Sequence, residues 1–402
     1  MTASRFRPQR LPPWRRAVIK VGSSLVAGDG GLSTRHASAI GLAVARLIAS
    51  GHEVLLVSSG AVAAGRAVLG SGLAFCLARQ NEPANTRQKA RPDPKALPAR
   101  QALAALGQAG VVALWQRFFD QPVAQVLLTH DDLRNRRRYL NARATLRGLL
   151  ALGAVPVINE NDTVAVDELK LGDNDNLAAH VAILMQADLL VLLSDVDGLF
   201  DRDPRRDSTA QPILRVRRIT PALRAAAGGA GSGVGTGGMA TKLEAAARAG
   251  EAGITTLVIN GTSYAALDAL QNDRLIGTRF DHPRSRVAAR KTWLKNLPPA
   301  AGRLLIDAGA AKAIAQRGAS LLPRGLVAVH GEFARGDAVQ LVQLKRGVEV
   351  PLARGLCQYS AGECSRLIGA RSDEIGTRLG FAYTPELVHR DDLVLIAARS
   401  AT

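Results

Sequence analysis

The chain runs to 402 residues, 47% of them hydrophobic and 21% charged, enough to bury one large core and a smaller one. Polar residues break every apolar stretch well before the ~18 positions that cross a bilayer, which excludes a membrane-spanning helix. The net charge of +18 attracts polyanions and anionic substrates, yet with aromatics at only 4% it lacks the interleaved rings on which single-stranded bases stack.

The opening segment, "MTASRFRPQRLPPWRRAV", is basic and proline-containing, with no apolar leader or cleavage site. Residues 1–16 therefore read as a disordered basic arm, and the protein as cytoplasmic. "RAVIKV" reads as a strand, "TRHASAIGLAVARLIAS" as an amphipathic helix and "HEVLLVSSG" as a second strand. Residues 78–101, "ARQNEPANTRQKARPDPKALPARQ", are of low complexity and expected to form a mobile loop. The span from Ser71 to Arg100 around it carries six basic residues against two acidic ones.

"VAQVLLT", "AVPVINE", "DLLVLLSD" and "TTLVIN" are further strands, separated by helices rich in Ala and Leu. Nearly continuous Val, Leu and Ile strands alternating with helices indicate an α/β fold: a three-layer αβα sandwich around a mainly parallel sheet. "DHPRSRVAARKTWLKNLPPAAG" ends that pattern, so residues 17–282 read as the first, larger domain and 283–302 as a linker. Residues 303–395 then form a small, mostly β domain. From Arg303 to Thr402 there are 13 basic and 10 acidic residues, a net of only +3.

Ligands of parallel sheets gather at the carboxyl ends of strands. The first such end is "IKVGSSL", where Lys20 supplies a point charge and Gly22 admits a phosphate close to the backbone. The second is "SSGAVAAGR", whose Ser58 and Ser59 either cap a helix or present its N–H groups to an anion. In "VPVINENDTVAVDELKLGDNDN" two polar knots follow one apolar run. Asn159, Glu160, Asn161 and Asp162 stand at the strand end, and Asp173, Asn174, Asp175 and Asn176 open the next helix. One of them serves as a cap; four exceed that need. They suit a substrate with an ammonium group and a carboxylate, or, alternatively, a metal.

"LLVLLSDVDGLF" places Ser194, Asp195, Asp197 and Gly198 after a strand, as a turn or as the floor of a nucleotide site. In "GAGSGVGTGGMATKLEAAARAG", Gly233, Gly235 and Gly238 satisfy GxGxxG without the preceding strand a dinucleotide site requires, and no GK[ST] occurs anywhere. What survives is a glycine-rich loop that feeds N–H groups and Lys242 toward a phosphate, or else a plain linker. Cys76, Cys357 and Cys364 fit neither a disulfide framework nor CxxC metal spacing and read as reduced structural thiols. "HRDDLVL" at His389 has the outline of a protein-kinase catalytic loop, but Ile396 replaces the asparagine, and no catalytic role is assigned to it.

Taken together and in order, "VIKVGSS", "VSSGAVAAGR", "NENDTVA", "KLGDNDNLAA", "SDVDGLF" and "GTGGMATKL" resemble the glutamate 5-kinases of the amino-acid kinase family, and the C-terminal part resembles a PUA domain. The resemblance implies ATP-dependent phosphorylation of the γ-carboxylate of L-glutamate, the first step of proline biosynthesis. Mg²⁺ would ride on the ATP, proline would be a feedback inhibitor, and the chain would form a homo-oligomer, dimer or tetramer. It assigns catalysis to Lys20, Lys242 and Asp175, and substrate binding to Ser59, Asp162, Asn174, Asn159 and Asp173. The nucleotide would be bound by Lys20, Ser194, Asp195, Thr236, Gly237, Gly238, Met239, Ala240, Thr241 and Lys242. Two features depart from the family pattern: the long basic stretch from Ser71, and Ala240 and Ser194 where Ser and Thr are frequent. The rival class is an RNA-binding or RNA-modifying protein, motivated by the C-terminal domain and the charge.

Overall fold

The structure is a computed structural model that describes residues 5–28, 30–78, 97–165, 174–204, 207–227, 238–282 and 300–396. The chain divides into two compact units, 1–133 with 146–284, and 134–145 with 285–402. In the first lie β1 (Arg16–Val21), α1 (Thr34–Ala49), β2 (Glu53–Ser58), α2 (Ala61–Ala78), α3 (Leu97–Gln116) and β3 (Val123–Leu128). Helix α4 (Arg136–Ala151), whose start groups with the second unit, precedes β4 (Val155–Glu160) and α5 (Asn174–Met185). Then come β5 (Leu189–Ser194), β6 (Arg215–Val216), α6 (Met239–Glu251), β7 (Thr255–Asn260), α7 (Tyr264–Gln271) and β8 (Thr278–Phe280).

These strands form one eight-stranded sheet in the order β6-β8-β7-β5-β1-β2-β4-β3. From β7 to β3 all neighbours are parallel; β8 pairs antiparallel with β7, and β6, parallel to β8, shares that reversed direction. The chain builds outward from β1 on one side, then crosses back over it between β4 and β5. Helix α5 lies on that crossover, so its N-terminus arrives where the strand order reverses, the usual place for a ligand crevice.

Strand alternation decides what faces the site. Ala17, Ile19 and Val21 of β1 join the core with Ile40, Val44 and Leu47 of α1. Val18 and Lys20 point to the opposite layer, where α5 packs on β1. Lysine on a central strand is 5% exposed, and a charge so enclosed requires a partner.

Two expectations are corrected. Residues 5–16 are folded rather than a disordered arm: Phe6, Leu11 and Trp14 are buried, and Gln9–Arg10 pairs with Arg274–Leu275. Trp14 Nε1 also donates to Asp273 at 2.8 Å. Three apolar anchors dock a segment whose charge density hid them. The loop expected over 78–101 is shortened, because α2 runs to Ala78 and α3 begins at Leu97; residues 79–96 lie outside the described ones. The facing helices α2 and α3 touch through glycine, since a Cβ on Gly107 would stand 1.8 Å from the Ala61 carbonyl oxygen and one on Gly65 1.9 Å from that of Leu103.

The second unit contains β9 (Gly302–Ile306), α8 (Ala308–Arg317), β10 (Leu326–Gly331), β11 (Ala338–Lys345), β12 (Val348–Leu356), α9 (Ala361–Arg366) and β13 (Leu393–Leu395). Its sheet runs β10-β9-β11-β12-β13 over a core of Leu304, Val339, Leu341, Ala353 and Tyr359. Cys357 and Cys364 are buried free thiols in that core. The "HRDD" stretch is structural: His389 accepts from Asp391 N at its turn, and Asp392 is buried in a two-pronged pair with Arg143. Among the described residues no helix is long and apolar enough to cross a membrane.

Candidate active site

Lys20, Asp175 and Lys242 meet at one point. Lys20 Nζ lies 2.6 Å from Asp175 Oδ1 and Lys242 Nζ 3.0 Å from Asp175 Oδ2, so each ammonium takes one oxygen of a single carboxylate. Asp175 is fully buried and both lysines are 5% exposed. Burial by itself would push the Asp175 carboxyl up; Lys20 and then Lys242 outweigh it and hold the group below the usual carboxylate range. The acid is thus an anion at neutral pH, and the trio carries one net positive charge.

Each member comes from a different element. Lys20 is the penultimate residue of β1, Asp175 lies in the first turn of α5 and Lys242 in the first turn of α6. Thr241 tightens the first turn of α6, its Oγ1 donating to the Gly238 carbonyl at 2.8 Å and also lying 3.0 Å from Asp175 Oδ2. Gly238 caps α6 without a side chain, so the first N–H groups of the helix keep their capacity for an anion.

Beside the trio, Asn174 Nδ2 donates to Ser59 Oγ at 2.8 Å and to Asn159 Oδ1 at 3.0 Å. Two strand ends and one helix start therefore converge on an amide–hydroxyl cluster. Ser59 can sit there because Gly60 has φ +108°, a left-handed turn that drops the chain straight from β2 into α2. Two residues of this cluster were not singled out from the sequence. Gln108 of α3 accepts from Asn159 Nδ2 at 3.4 Å, and Trp115 Nε1 donates to Ser58 Oγ at 2.8 Å. Gln108 sits in mid-helix and Trp115 one residue before the helix ends, and nothing in the local pattern distinguishes either from core.

On the other side of β1, Ser194 is in register with Asn260 at the ends of β5 and β7. Asn260 Nδ2 donates to Asp197 Oδ1 at 2.7 Å, while Ser194 Oγ accepts from Val196 N at 3.3 Å. Asn260 was also missed, although a polar residue closing the apolar run "TTLVIN" is the same signal that identified the others. Asp162 and Asp195 lie at their strand ends, part-exposed and exposed respectively. Asp173, Thr236 and Gly237 fall outside the described residues.

With that geometry in view, residues 15–260 match the amino acid kinase family and residues 302–379 match the PUA domain. The chain belongs to the amino acid kinase family. A glutamate 5-kinase from Xylella fastidiosa is 56% identical over 98% of this chain and 98% of its own length. One from Xanthomonas oryzae pv. oryzae is 56% identical over 94% of this chain and its whole length. A solved carbamate kinase from Giardia lamblia bound to AMP-PNP aligns with a TM-score of 0.46 at 16% identity, over 67% of this chain and 99% of that one. As an amino acid kinase family member, the chain is a phosphotransferase with a PUA domain attached.

Proposed function

We propose that the chain transfers the γ-phosphoryl group of ATP to the γ-carboxylate of L-glutamate, forming L-glutamyl 5-phosphate as the first step of proline biosynthesis. The observation that carries this is the buried Asp175 with Lys20 on one oxygen and Lys242 on the other. The identity of the relatives supports the substrate.

A carboxylate nucleophile is already ionised at neutral pH, so the reaction needs no general base. One γ-carboxylate oxygen forms the new O–P bond while the bond from the γ-phosphorus to the β–γ bridging oxygen breaks, and ADP leaves with that electron pair. The difficulty is bringing two anions together and stabilising charge spread over the moving PO₃ unit. Lys20 and Lys242 supply that charge, pre-positioned by Asp175, and the start of α6 adds N–H dipoles. Asn174, Ser59 and Asn159 hold glutamate by its carboxylate and ammonium groups, with Asp162 and Asp173 beside them. Ser194, Asp195 and the stretch from Thr236 through Lys242 hold the nucleotide.

Among the described residues no group of three His, Cys, Asp or Glu side chains gathers that could hold an ion by itself. Mg²⁺ would arrive on the nucleotide, where phosphate oxygens and water supply most of its ligands. Proline, which shares the α-carboxylate and amine of glutamate, is proposed to compete for the same cluster, and the working form to be a homo-oligomer. Trapping the acyl phosphate with hydroxylamine tests the reading: glutamate hydroxamate should form only with ATP and glutamate together. ADP release without hydroxamate would refute it.

A further inference from the structure

A cavity of about 710 Å³ opens on the second unit, whose function the kinase reading leaves unexplained. Strand register places one unbroken row of side chains across all five strands. His330 is opposite Arg303, Arg303 opposite Gln340, Gln340 opposite Arg354, and Arg354 opposite Val394. Cross-strand partners point to one face of a sheet. Their chain neighbours Leu304, Val339, Leu341 and Ala353 fill the core on the other face, so the row is turned away from that core and lines the cavity.

Arg354 is the residue that needs explaining. It is half-buried, and its Nε and Nη2 are closed off from solvent with no hydrogen-bond partner among the described residues. Shielding a guanidinium edge without an acceptor is unfavourable. Arg303 and His330, at the open end of the row, share Glu349 only at 3.6 and 3.7 Å. The row therefore holds more donor capacity than the chain satisfies.

We propose that this row is a binding site for a small oxyanion, the phosphate or carboxylate group of a metabolite-sized ligand. Rotation about the outer bonds of Arg354 presents its fork to the anion; Gln340 adds a neutral contact, Arg303 adds charge at the mouth, and His330 adds a ring N–H there. Val394 and Ile396 give the ligand's carbon skeleton an apolar wall. The cavity volume is that of a small-molecule site, and a net charge of only +3 from Arg303 onward is weak for gripping a polyanion. The inference is independent of the reaction assigned to the first unit.

Calorimetry on the full chain, saturated with a non-hydrolysable ATP analogue to fill phosphate subsites in the first unit, tests it with two probes, inorganic phosphate and succinate. At least one should bind saturably with a Kd on the order of 1 mM, and the stronger probe identifies the group. Arg354→Leu should weaken binding at least ~10-fold and Arg354→Lys less, because lysine keeps charge but not the fork. Should Arg354→Leu fold poorly, the exposed Arg303→Ser keeps the test open, with a several-fold loss expected at an unchanged melting temperature. The proposal is overturned if neither probe binds the parent protein, or if these variants bind as well as it does. It is equally overturned if only a single-stranded RNA oligonucleotide binds through Arg354, which would make the row a nucleic-acid surface.

Discussion

Lys20 Nζ and Asp175 Oδ1 lie 2.6 Å apart in a site that excludes solvent from both. Since Asp175 spends its other oxygen on Lys242, one carboxylate offsets two cations. Asp175→Asn removes that charge and leaves the lysines to repel each other. It should cost about 3–5 kcal/mol of stability, read from chemical denaturation, along with most of the turnover. Unchanged stability in the Asp175→Asn variant would mean that the lysines rearrange and the trio is not a fixed device.

Replacing either lysine by methionine keeps the bulk and removes the charge. We expect kcat to fall at least ~100-fold for Lys20→Met and for Lys242→Met, with KM for glutamate changed far less. Steady-state ADP release measures both constants, and a loss confined to KM would assign the lysines to substrate binding instead.

Asn174 links Ser59 and Asn159 through one amide. Asn174→Ala should raise KM for glutamate by roughly 10-fold or more, the cost of one or two hydrogen bonds to a charged substrate. KM for ATP should stay near its original value. Equal effects on both substrates would place Asn174 elsewhere in the reaction.

Gly107→Ala carries a prediction of a different kind. The added methyl collides with the Ala61 carbonyl and must spread α2 from α3, displacing Gln108 from Asn159. Stability should drop by about 1–3 kcal/mol and KM for glutamate should rise, although the side chain touches no substrate. A crystal structure of the variant with the helices unmoved would contradict this.

His180 is neutral in the folded chain. Burial first, then Arg248 and His130, lower its pKa from 6.5 to about 4. Between those values the unfolded chain carries the extra proton, so stability rises with pH and is lost on acidification from 6.5 toward 4. The effect is on the order of 3 kcal/mol. His180→Gln should flatten that slope in melting curves taken across the interval; parallel curves for the two proteins would show that other groups set it.

Arg143 and Asp392 pair inside the second unit, 4% and 0% exposed. Arg143→Ala removes the cation paired with the buried Asp392 carboxylate and should destabilise this unit by about 3–5 kcal/mol, seen as faster amide exchange over 302–396. Double replacement by Met and Leu should restore much of the loss, because two apolar groups need no partner.

Strand–helix alternation made the fold class readable, because covering a parallel sheet on both faces leaves long Val, Leu and Ile runs that few other arrangements tolerate. The same logic exposed Lys20, Ser59, Asn159, Asn174, Asp175 and Lys242, as polar residues at the ends of apolar runs or the starts of helices. Where polar identity was not anomalous, reading failed. Gln108 and Trp115 look like ordinary residues of an Ala-rich helix, and Arg354 like any surface arginine on a strand. The folded segment from Phe6 to Trp14 was misread because its basic residues outnumber three apolar anchors that find their partners far along the chain.

Local chemistry and periodicity, then, suffice for the layers of this protein and for which side chains stand at the mouth of the sheet, since both follow from what a strand or helix must bury. Tertiary structure alone decides that positions 20, 175 and 242 share one carboxylate. It alone aligns His330, Arg303, Gln340 and Arg354 into a row. Such pairings depend on strand order and register, which are set by the packing of the whole sheet and leave no mark on any short stretch of sequence.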